Sequence, residues 1–67
     1  MKLNEFMAME KSGGFFKLID ATKQGYMNDM CWKVITFADR NVCEEYGDCD
    51  VVGFRPNGKN SIVVYIK

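Results

Sequence analysis

Val51-Val52-Gly53-Phe54-Arg55-Pro56-Asn57-Gly58-Lys59-Asn60-Ser61-Ile62-Val63-Val64-Tyr65-Ile66 is the stretch on which the fold turns. Two runs rich in β-branched and aromatic side chains flank Pro56-Asn57-Gly58-Lys59. Asn-Gly between apolar runs is the strongest short-range hairpin signal, because both residues tolerate the positive φ that a tight turn demands. The pattern predicts strands over Cys49 to Arg55 and Ser61 to Ile66. Period-two alternation puts Ile62, Val64 and Ile66 on one face, matched by Val52 and Phe54 across the hairpin. Val51, Val63 and Tyr65 then fall on the other face. A sheet open to water on one side normally carries charged and hydroxyl side chains there, so this second apolar strip needs a cover. A two-fold homodimer with Val63 and Tyr65 at its centre and Val51 beside them is the simplest closed arrangement. The alternatives are cover by residues 22–30 of the same chain, or a surface kept for another partner.

Upstream, residues 15–21 (Phe-Phe-Lys-Leu-Ile-Asp-Ala) predict a first strand, and Cys31 to Phe37 alternate as a second. Asp39 is placed to cap a short helical turn over Arg40 to Tyr46, in which Val42 and Tyr46 lie one turn apart; Gly47 ends it. At the amino end Leu3, Phe6 and Met7 fall at i, i+3 and i+4, which predicts an amphipathic helix from Leu3 to Lys11, with Asn4 as its N-cap and Ser12-Gly13-Gly14 as its stop. The expected fold is α+β in one domain over residues 1–67: a short N-terminal helix, a small mainly antiparallel four-stranded sheet ending in the hairpin, and a second short helix before it.

Chemistry is sparse in the chain. Histidine is absent, which removes the usual partner of an activated Cys or Ser and the commonest metal ligand. Cys31, Cys43 and Cys49 form no C-x-x-C pair and are odd in number, so reduced thiols are expected; Cys43 and Cys49 sit among acids that raise a thiol pKa. Asp20, Asp29, Asp39, Asp48 and Asp50 could on paper serve a two-metal nuclease, but they show no ligand spacing, and strand ends and caps account for them. No enzyme, cofactor or metal site is expected. The amino-terminal residues lack the apolar run of a signal peptide and no stretch is apolar enough to span a bilayer, so a cytoplasmic protein without membrane attachment is expected.

Nine basic and nine acidic side chains cancel, yet their distribution is uneven. Residues 39–50 hold Asp39, Glu44, Glu45, Asp48 and Asp50 against Arg40 alone, whereas 51–67 hold Arg55, Lys59 and Lys67 and no acid. The opening Met1-Lys2-Leu3-Asn4-Glu5-Phe6-Met7, the segment from Asp39 to Tyr46, and the ending Asp50-Val51-Val52-Gly53-Phe54 through Ile62-Val63-Val64-Tyr65-Ile66 resemble, in layout, small proteins of bacterial phages and prophages. Some proteins of that kind and size inhibit host defence, anti-CRISPR proteins among them. The resemblance implies a setting; it carries no functional residue across, because no shared chemical motif is present.

The expected function is therefore a non-catalytic interaction protein of a phage or mobile element. It would bind, and could inhibit, a host defence protein such as a basic nucleic-acid-binding effector, with Glu44, Glu45, Asp48 and Asp50 as its charged surface and Tyr46 as the aromatic anchor. The rival is a small nucleic-acid-binding or DNA-acting protein. It would use an aromatic sheet face with Trp32, Arg55 and Lys59, and what favours or disfavours it is where Trp32, Tyr65 and Arg55 point.

Overall fold

The computed structural model describes residues 1–9, 14–23 and 34–67. Helix α1 (Leu3–Met9) is followed by strands β1 (Phe15–Asp20) and β2 (Val34–Asp39), helix α2 (Arg40–Cys43), a 3-10 turn (Glu44–Tyr46), and strands β3 (Val51–Pro56) and β4 (Ser61–Ile66). The order and type of the elements are the α+β pattern that the sequence predicts. The four strands lie in the order β2-β1-β4-β3. Both outer pairs are antiparallel, while the central pair β1 and β4 runs parallel.

That central position explains the composition of β4. Ile62, Val63, Val64, Tyr65 and Ile66 are all buried, as expected of an inner strand with a parallel neighbour, which has no solvent face to decorate with polar groups. On the helix side, Phe16, Leu18, Ile62, Val64 and Ile66 pack with Leu3, Phe6 and Met7 of α1 and Cys43 of α2. Phe6 meets Phe16 edge-on at 6.5 Å between ring centroids and lies 5.0 Å from Phe54. On the reverse face Ile19, Val63 and Tyr65 form a second cluster, supported by Ala21 and Val34.

The hairpin corrects one expected face. Phe54 stands opposite Val64 as predicted, but the register slips between Val51 and Gly53, so Val51 pairs with Ile66 and packs into the helix-side core. A bulge adds one residue to one strand and thereby reverses the faces beyond it. Val52 and Phe54, expected as the matching core set, are both exposed, Phe54 lying against Phe6 at the rim of the helix-side core, and Val51 leaves the reverse strip. Val63 and Tyr65 do lie on the reverse face, but at 0% and 2% exposure they are buried within one chain. The homodimer thus loses the open strip that motivated it.

Local signals hold with adjustments. Asp39 caps α2, its carboxylate accepting from the Val42 N–H at 3.1 Å. For α1 the cap is Lys2 rather than Asn4. The Lys2 carbonyl accepts from the Phe6 N–H at 3.0 Å, and Glu5 reaches back so that its Oε1 accepts from the Lys2 N–H at 3.0 Å, half of a capping box. Asn4 instead lies over Gly47: its N–H donates to the Gly47 carbonyl, and a Cβ at Gly47 would collide with the Asn4 carboxamide. The predicted Cys31 start of β2 and the predicted stop at Ser12-Gly13 lie outside the described residues. Among the described residues no helix is long and apolar enough to cross a membrane.

Candidate interaction surfaces

Position in the fold sorts the carboxylates into two groups. Asp20 ends β1 and its Oδ1 accepts from the Thr22 hydroxyl and from the Thr22 N–H at 2.9 Å; the hydroxyl bond first, and then the backbone bond, hold its pKa below the ordinary value. Asp39 is occupied by the α2 cap. Asp50 is built into the fold at its backbone and its side chain. Its N–H and carbonyl exchange bonds with Lys67 at 2.9 and 3.0 Å, and on its other side Lys2 forms an antiparallel bridge, with Leu3 N–H to Cys49 carbonyl at 2.9 Å and Val51 N–H to Met1 carbonyl at 2.8 Å. The Lys2 ammonium lies 3.0 Å from Asp50 Oδ1; through that bond and its charge it lowers the Asp50 pKa, while its own is raised.

The second group is Glu44, Glu45 and Asp48. All three are exposed on the 3-10 turn and the bend after it, and among the described residues none of them forms an ion pair. The sequence treated Asp50 as their equal; its long-range partner Lys2 is visible only once the amino-terminal residues lie beside β3. Tyr46 is half-buried against the helix-side core, so its ring anchors the turn from inside more than it projects from it. Beside the turn, Asn4, Met7, Ala8, Arg40 and Glu44 line a groove of about 180 Å³ between α1 and α2. Small-molecule sites usually exceed ~300 Å³, so this groove suits one side chain of a partner better than a substrate. The Arg40 guanidinium lies 5.7 Å from the centre of the buried Phe16 ring, which fixes the groove's cationic wall.

Cys43 is buried, with its Sγ 3.6 Å from the Ala38 carbonyl oxygen; burial, and then the nearby Asp39 charge, push its thiol pKa up. That environment disfavours the thiolate and nucleophilic use of it. Cys49 is a free, half-buried thiol. Among the described residues no three His, Cys, Asp or Glu side chains converge as metal ligands.

Of the rival site, Tyr65 is buried and its hydroxyl accepts from Arg55 Nε at 2.9 Å. Lys59 lies in the hairpin loop, and Trp32 lies outside the described residues. The exposed aromatics among the described strands are instead Phe54, on the helix side, and Phe15 with Phe37 on the reverse face, a pair the sequence assigned to core strands without marking it as surface. No alternation rule separates the open end of a sheet face from its covered end, and the signal available was only that both phenylalanines sit near strand ends. No family model, no curated protein and no solved structure matches this chain.

Proposed function

We propose that the protein is a non-catalytic interaction protein that binds a basic protein surface through Glu44, Glu45 and Asp48, with the α1/α2 groove accepting a side chain of the partner. The observation that carries this reading is the sorting of carboxylates: Asp20, Asp39 and Asp50 are committed to internal bonds, whereas these three are exposed within one turn, beside a groove that Glu44 also lines. Uncommitted charge of one sign on a short rigid turn accelerates encounter with an oppositely charged surface and fixes its register. A nucleic-acid-binding effector of host defence is the partner class that matches, because such a protein exposes a basic channel that a compact acidic turn can enter.

The test titrates purified basic nuclease effectors of bacterial defence against the protein, and against a variant carrying Glu44→Gln, Glu45→Gln and Asp48→Asn together. The expected result is binding that weakens with salt and falls at least about tenfold in the triple variant, since close charge pairs across interfaces are worth ~1.5 kcal/mol or more. Equal affinity of the two forms would remove the acidic turn from the interface.

A further inference from the structure

On the face of the sheet opposite α1 and α2, Phe15 and Phe37 are 49% and 55% exposed and meet edge-to-face, with ring centroids 6.1 Å apart and planes at 80°. The register sets two half-buried cations on the same side of the sheet, Lys17 beside Phe37 and Arg55 beyond the buried Val63. Lys17 pairs with Phe37 on one side and Val63 on the other, and Val63 pairs with Arg55, so Phe37, Lys17, Val63 and Arg55 form one row across all four strands. At ~4.8 Å per strand the row spans about 14 Å. Arg55 is steadied in that row by its bond to the Tyr65 hydroxyl. Asp39 stands opposite Phe15, and its carboxylate is already accepting from Val42.

We propose that this face binds single-stranded nucleic acid at its open end, with bases stacking on Phe15 and Phe37 and the phosphate backbone running past Lys17. The assignment is independent of the acidic turn, which belongs to the helix layer. Solvent-facing rings next to cations on a sheet are the arrangement by which unpaired bases are held without regard to sequence, since every base offers a π-face. Duplex fits poorly, because its bases are stacked on one another and closed to the rings. A second copy of the chain fits poorly as well: two-fold pairing of this face would set its Lys17 and Arg55 row against the same charges, and its Ile19, Val63 and Tyr65 are already buried. A basic protein would meet the same repulsion.

Fluorescence anisotropy with a labelled oligodeoxythymidine, and with a duplex of the same length, tests the proposal at low salt. The single strand is expected to bind and the duplex to bind more weakly. Phe15→Ala and Phe37→Ala should each weaken binding about tenfold, and Lys17→Gln should reduce the slope of log affinity against log salt by about 0.7. Phe37→Leu keeps apolar bulk on the strand and should still lose most of the Phe37 contribution; thermal melts of every variant confirm that the fold is intact. No single-strand binding at low salt, affinity unchanged in both alanine variants, or a dimeric mass in light scattering that becomes monomeric in Phe37→Ala would each overturn the proposal.

Discussion

Lys2 and Asp50 lie at the solvent boundary, each about half exposed, so their attraction is screened and salt-sensitive, and their worth shows in its pH dependence. The Asp50 pKa in the fold lies below its unfolded value, and that of Lys2 lies above it. The pair therefore contributes fully between the unfolded carboxyl value, ~3.9, and the unfolded ammonium value, ~10.4. Its contribution is lost as pH falls through the depressed Asp50 value, and again as pH rises through the raised Lys2 value. Asp20, lowered by Thr22, adds to the acid limb alone. Urea unfolding from pH 7 down to pH 2 should show wild type losing stability faster below pH ~4 than Asp50→Asn, with the gap closing in high salt. Parallel curves would mean that the pair contributes nothing.

At the scale of elements, the hairpin tests how literally turn chemistry is encoded. Gly58 has φ +80°, Asn57 N–H donates to the Ser61 carbonyl at 3.0 Å, and the Ser61 hydroxyl donates to the Asn57 carbonyl. A Cβ at Gly58 would meet nothing within 4 Å, so Gly58→Ala isolates the backbone cost of the left-handed region, about 1 kcal/mol. Gly58→Asn should cost less, because Asn tolerates that region, and thermal or urea unfolding of the two variants should rank them so. This turn was legible in the sequence because its cause is local, and the Asp39 cap was legible for the same reason. The bulge at Val51 and Val52 was not: alternation counts residues and cannot sense one that steps out of register, so a single slip exchanged the faces of both. Nor was the parallel pairing of β1 with β4 legible, since the two strands carry the same β-branched signal whether their neighbours run with them or against them. The mispairing of Asn4 with the cap role has a similar origin, because the contact that occupies Asn4 comes from Gly47, distant in sequence.

Across the whole molecule the two surfaces lie on different layers, with Glu44, Glu45 and Asp48 on the helix layer and Phe15, Phe37 and Lys17 on the reverse face of the sheet. Net charge near zero concealed this division, because acids and bases cancel in the sum wherever they stand. Exposed charges separated by more than ~8 Å are largely screened at physiological salt, so the two surfaces should act independently. The triple Glu44→Gln, Glu45→Gln, Asp48→Asn variant should bind oligodeoxythymidine as wild type does at physiological salt, and Phe15→Ala should leave affinity for a basic protein unchanged. Anisotropy and calorimetry on the same two variants measure both couplings; loss of both activities in either variant would mean that one continuous surface serves both.

The parallel pairing of β1 with β4 also has a consequence in time. A ribosome releases Phe16, Leu18 and Ile19 long before Ile62, Val64 and Ile66, and the strand that pairs with the inner edge of the early one is the last of the four to be made. Until it arrives, β1 has only its antiparallel neighbour and no inner partner, and the helix-side core lacks the surface on which α1 closes. Joining the middle of the sheet also closes a long loop, whose entropy is spent before any contact repays it. The hairpin of β3 and β4 is the local unit available to start the process, so folding should await that unit and then proceed backwards along the chain, the newest residues organising the oldest.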